Sequence, residues 1–170
     1  MVELQKGDLP KGRCMLRKTV LVADDDVNDI SLLKRAFLRA GIDVSINVVR
    51  DGEEVIQYLH GDEPFSDREE YPLPRLLLLD LKMPRTDGFE VLEWVRNQAG
   101  LRRLLVVVMT SSDEPEDVDR AYDLGANSFL RKPDDFTNLV KVSQKLHDYW
   151  METNLGPDYS PGQRRKSQLD

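Results

Sequence analysis

The chain has 170 residues and a formal net charge of −7, from 31 acidic and 24 basic side chains. That balance argues against a sequence-independent grip on nucleic acid, so no nucleic-acid partner is expected. A single cysteine, Cys14, rules out an intramolecular disulfide, and the longest apolar runs, such as Leu104 to Met109, are far too short to span a bilayer. The N-terminus lacks the apolar core of a signal peptide. The expectation is a cytoplasmic protein with no membrane partner, built as one domain with tails.

Residues 1–17 carry charge, glycine and proline without period and are predicted to be a flexible lead-in. Thr19 to Ala23 reads as a buried strand that runs into Asp24-Asp25-Asp26. An amphipathic helix follows, with Ile30, Leu33, Phe37 and Leu38 on one face, and Gly41 ends it. Val44, Ile46 and Val48 alternate with polar residues, the period of a half-exposed strand. Asp51-Gly52-Glu53-Glu54 predicts a capping box and a helix through Val55, Ile56 and Leu59. Residues 61–75 form an acidic, proline-bearing loop.

Leu76-Leu77-Leu78-Leu79 is too short for an ordinary helix and is bounded by Pro72, Pro74 and Pro84, so it reads as a strand buried on both faces. It ends in Asp80. A helix from Asp87 to Gln98 then turns Phe89, Leu92 and Val95 inward. Leu104 to Met109 is another buried strand, ending at Thr110, and Asp113 with Glu116 around Pro115 predicts a further capping box. Ser128 to Leu130 is a short strand ending near Lys132-Pro133. The last helix keeps Phe136, Leu139, Val140, Leu146 and Trp150 on one side, while Val142 and Tyr149 share a stripe that the core does not explain. Residues 18–152 thus make the domain, and 153–170 read as a flexible tail. Five alternations of strand and helix predict an α/β fold, a parallel sheet with helices on both faces.

Asp26, Asp51, Asp87 and Asp113 are explained as helix caps, and His60 and His147 as surface residues. Asp24, Asp25, Asp80, Thr110 and Lys132 are not. In a parallel sheet they project at one rim, where the carboxyl ends of the strands gather ligands and chemistry. Converging carboxylates repel unless a proton or cation intervenes, and oxygen-only donors suit a hard ion such as Mg²⁺. A carboxylate beside that ion can attack phosphorus, and a lysine and a hydroxyl can then hold the phosphoryl oxygens.

The pieces Leu21-Val22-Ala23-Asp24-Asp25-Asp26, Leu79-Asp80-Leu81-Lys82-Met83-Pro84 through Asp87-Gly88, Met109-Thr110-Ser111 and Phe129-Leu130-Arg131-Lys132-Pro133 occur in that order. Over roughly Lys18 to Trp150 they resemble the receiver domain of two-component response regulators. The resemblance implies a flavodoxin-like, doubly wound five-stranded parallel sheet with strand order 2-1-3-4-5. It implies Asp80 as phosphoacceptor from a sensor histidine kinase, and Mg²⁺ on Asp24, Asp25, Asp80 and the Lys82 carbonyl. Thr110 and Lys132 would bond the phosphoryl group, Thr110 and Phe129 would form the switch, and Lys132–Pro133 would be a cis peptide. The loop 61–75, the segment Arg120 to Ser128 and the ending His147 to Thr153 resemble stand-alone regulators paired with bacterial phytochromes, with no output domain. A phytochrome-type photoreceptor kinase is therefore the implied partner, and a homodimer through the last strand and last helix the implied assembly. A phosphohydrolase of the haloacid dehalogenase type would need an acid two positions after Asp80, where this chain has Lys82.

Overall fold

A computed structural model describes residues 18–157 of the chain, so the predicted lead-in 1–17 and the last part of the predicted tail lie outside the described residues. The elements alternate as β1 (Thr19–Ala23), α1 (Val27–Arg39), β2 (Ser45–Val49), α2 (Gly52–His60), β3 (Leu76–Leu79), α3 (Gly88–Asn97), β4 (Leu105–Thr110), α4 (Pro115–Asp123), β5 (Ser128–Arg131) and α5 (Phe136–Leu146). A π-helical turn, His147–Thr153, continues α5. The five strands are all parallel, in the predicted order β2-β1-β3-β4-β5. Among the described residues no helix is long and apolar enough to cross a membrane.

Side chains alternate along each central strand, so the sheet has two apolar faces. Leu21, Leu77, Leu79, Val106 and Val108 pack under α2, α3 and α4, against Val55, Leu59, Val91, Leu92 and Ala121. Val20, Val22, Leu76, Leu78, Val107 and Met109 pack under α1 and α5, against Leu33, Phe37 and Leu146. Both faces of β3 are fully buried, which is why four consecutive leucines suit it.

Helix starts follow the acids. Asp26 accepts from the Asn28 and Asp29 N–H groups, Asp51 from that of Glu54, and Asp87 with Glu90 forms a complete capping box. The box predicted at Asp51 is shifted: Glu54 accepts from the Arg50 N–H (2.8 Å), one residue upstream. Asp113 does not cap α4. Pro115 occupies the first helical position, which makes Glu114 the cap residue, without a side-chain bond, and leaves Asp113 to pair with Arg131 at 3.5 Å.

Three further expectations are corrected. Leu38 is 80% exposed, because the buried arc of α1 runs from Ala36 through Leu33 and Phe37 to Ile30 and ends before Leu38. Val142 lies between Leu139 and Leu146 on one helical face and packs against the core. Tyr149 is exposed and sits edge-on to Trp150, within the π-helical turn that changes the period. Finally, Lys132–Pro133 is trans; the cis bond among the described residues is Glu63–Pro64. The loop 61–75 is held from inside: Tyr58, Phe65 and Tyr71 contact one another ring to ring, and Arg68 donates to the Tyr58, Leu59 and Tyr71 carbonyls.

Candidate phosphoacceptor site

The ladder continues one residue past each strand end, and this places the polar side chains. The Asp24 N–H donates to the Val49 carbonyl (3.1 Å), the Asp80 N–H to Ala23 (2.9 Å), and the Lys132 N–H to Thr110 (2.7 Å). Asp24, Asp80, Thr110 and Lys132 are therefore fixed side by side on the rim of β1, β3, β4 and β5. The two buried acids repeat one local turn. Asp24 Oδ1 accepts from the Asp26 N–H (3.0 Å) and Asp80 Oδ1 from the Lys82 N–H (3.1 Å), each two residues on. Thr110 Oγ1 accepts more loosely, at 3.5 Å, from the Ser112 N–H.

With the Oδ1 atoms taken by backbone, both Oδ2 atoms face Lys132. Its Nζ donates to Asp80 at 2.7 Å and to Asp24 at 2.8 Å. It also reaches Asp29 on the first turn of α1, at 2.8 Å. Asp24, Asp80 and Thr110 are buried, Lys132 nearly so, and Asp25 is exposed. Burial pushes the Asp24 carboxyl above its ordinary range, against the opposing pull of the Lys132 and Asp26 bonds. Burial would by itself lower Lys132; the bonds to Asp24, Asp29 and Asp80 outweigh it and hold the ammonium above its usual value, so Lys132 is charged.

The donor set fits a metal. Asp24, Asp25 and Asp80 each offer a carboxylate oxygen, and these atoms lie within 4.8 Å of one another. Three oxygen donors on a partly open rim suit a hard divalent cation that keeps water among its ligands. Of the other predicted residues, Lys82 is exposed and joins the cluster through its backbone N–H. Phe129 is half-buried and lies against the core under α2–α4, and its N–H donates to the Tyr122 hydroxyl at 3.2 Å. Asp29 is the residue that sequence reasoning missed. An acid in a first helical turn is expected to complement the helix dipole, so nothing in the sequence marks it as a lysine partner 103 residues away.

Comparison with known proteins agrees with this geometry. The response regulator RPA3017, described in red light signalling of R. palustris, is 36% identical and superposes with a TM-score of 0.79, over 82% of this chain and 98% of that one. The phosphorylated cyanobacterial phytochrome response regulator RcpA is 29% identical, with a TM-score of 0.77 over 84% and 99%. Response regulator Rcp1 of Synechocystis is 33% identical over 80% of this chain and 90% of its own length. Its Mn²⁺-bound structure superposes with a TM-score of 0.74 over 83% and 99%. The family model of the response regulator receiver domain matches residues 20–144, from the first residues of β1 almost to the end of α5, and the chain belongs to that family.

Proposed function

We propose that this protein is a response regulator in which Asp80 accepts a phosphoryl group from the phosphohistidine of a sensor histidine kinase. Phosphoryl acceptance from histidine kinases is the general function of receiver domains. The observation that carries the assignment to this residue is the paired binding of the Asp24 and Asp80 Oδ2 atoms by one Lys132 ammonium, beside the exposed carboxylate of Asp25. The phosphorylated RcpA and the Mn²⁺-bound Rcp1, both similar over most of the chain, support the same reading.

In the reaction an Asp80 carboxylate oxygen attacks phosphorus, the P–N bond of the phosphohistidine breaks, and its electron pair stays on the imidazole nitrogen. The Asp80 carboxylate thereby becomes an acyl phosphate. Mg²⁺ held by Asp24, Asp25 and Asp80, with the Lys82 carbonyl as a further ligand, would supply charge neutralisation and orientation of the phosphoryl oxygens. The Thr110 hydroxyl and the Lys132 ammonium donate hydrogen bonds to those oxygens. Movement of Thr110 makes room for Phe129, and so passes the change to the face of α4, β5 and α5. The same pocket admits water for slow loss of the phosphate. The similarity to RPA3017, described in red light signalling, and to the phytochrome response regulator RcpA favours a phytochrome-type photoreceptor kinase, working in the cytoplasm, as the donor.

Asp80→Asn tests the assignment. It keeps the shape of the side chain and removes the anionic nucleophile, so hydroxylamine-sensitive labelling from a phosphorylated kinase should vanish while the melting curve stays cooperative. Labelling of the variant at the wild-type rate would refute it. Asp25→Ala should abolish the rise in melting temperature that Mg²⁺ gives the wild-type protein. An undiminished rise in that variant would place the ion elsewhere.

A further inference from the structure

Asp29 stands apart from the residues used so far. Its carboxylate projects from α1, not from a strand end, and 40% of the side chain is exposed, against 9% for Asp24 and 6% for Asp80. It does not cap its own helix: that bond belongs to Asp26, to which the Asp29 N–H donates at 3.3 Å. What Asp29 does hold is Lys132, at the same distance as the two buried acids. Asp24, Asp29 and Lys132 share a groove walled by Leu32, Leu33 and Leu139, which keeps bulk water from one side and strengthens the ion pair.

An ammonium has three N–H donors and no more. With Asp24, Asp29 and Asp80 at 2.7–2.8 Å, all three are used. A phosphoryl group on Asp80 needs one of them. Asp24 and Asp80 turn towards the metal ion when it binds, and Asp80 then becomes an acyl phosphate, whereas Asp29 keeps its place on α1. We propose that Asp29 is a positioning residue that holds the Lys132 ammonium in the resting site and competes with the phosphoryl group for it. The affinity of the pocket for phosphoryl is then set in part from α1. This inference rests on the reading of Asp80 as phosphoacceptor.

The test compares wild type, Asp29→Asn and Asp29→Glu in binding beryllofluoride, a tetrahedral mimic of the phosphoryl group, at saturating Mg²⁺. Asp29→Asn removes the competing charge and should bind the mimic roughly threefold to tenfold more tightly. Asp29→Glu retains the charge and should stay within about twofold of wild type. In NMR spectra of the protein without mimic, the Lys132 side-chain signal should shift in Asp29→Asn and much less in Asp29→Glu. A residue that served only the helix dipole would lower the melting temperature and leave the affinity for the mimic unchanged. Unchanged or weaker binding by Asp29→Asn, with normal binding by wild type, overturns the proposal alone. Failure of the wild type itself to bind beryllofluoride overturns the phosphoacceptor reading, and this proposal with it.

Discussion

Two enclosed cations, Arg96 and Lys132, show opposite ways of spending a positive charge inside a fold. Arg96 on α3 donates only to neutral oxygens: the Gly125 carbonyl (2.9 and 2.6 Å), the Leu104 and Arg102 carbonyls (3.0 and 3.2 Å) and Asn127 Oδ1 (3.2 Å). Burial lowers its basicity and no carboxylate offsets this. Its planar fork ties the end of α4 and the loop before β4 to α3, and each acceptor has a fixed place. Lys132 is a point charge on a flexible stem, surrounded by three carboxylates. It can exchange one acceptor for another without any backbone moving. The first arrangement staples the fold, and the second is suited to a site whose anions change during its work.

The sharpest way to break this contrast is Lys132→Ala. On the proposed reading, loss of the charge that would face the phosphoryl oxygens should reduce phosphoryl loading by about 100-fold or more. The same change should raise the affinity for Mg²⁺, because the ion no longer competes with an ammonium for Asp24 and Asp80. Labelling with radioactive phosphate and thermal shift against Mg²⁺ concentration measure the two effects. A parallel fall in both would mean that Lys132 merely maintains the fold. Arg96→Ala should do the reverse. Three carbonyls lose the Arg96 bonds, and Asn127 Oδ1 keeps only the Val106 N–H, which costs about 2–4 kcal/mol in denaturant unfolding, while phosphoryl loading at 10 °C stays within about twofold of wild type. Smaller still is the contrast between two acids that look alike in sequence. Asp87→Ala removes a complete capping box and should cost about 1 kcal/mol. Asp113→Ala breaks only an exposed pair with Arg131 and should cost less than about 0.5 kcal/mol.

That last pair also shows where sequence reading succeeds and where it stops. Asp24, Asp80 and Thr110 were legible because each ends a buried apolar run, and Lys132 because it follows a short strand; parallel strands must bring such ends to one rim. Strand order came from the motifs and not from periodicity, since four leucines carry no information about their neighbours. Asp113 misled because Pro115 moves the helix start by one residue, a geometric matter that composition does not express. Val142 misled because it stands three residues after Leu139 and four before Leu146, on the packed face of α5 rather than on a stripe of its own. Asp29 was hidden for a different reason. A contact between residues 103 apart depends on how α1 leans over the rim, and a first-turn acid has an ordinary local explanation that satisfies the reader too early.

Gly88 opens α3 immediately behind the strand that carries Asp80. A methyl group built there would lie 2.4 Å from the Asp80 carbonyl oxygen and 2.8 Å from Leu81 Cα, both backbone atoms that cannot step aside. At the start of α2, a methyl group built on Gly52 would lie 2.3 Å from the Thr86 carbonyl oxygen of the same connecting loop. Neither glycine touches a reacting atom, yet between them they clamp the segment that carries Asp80 into α3. In a saturation library these two positions should tolerate substitution as poorly as Asp24 and Asp80 themselves. A sequence designer who transplanted only the charged residues into another parallel sheet would obtain the chemistry of the pocket without the spacing that keeps it in register.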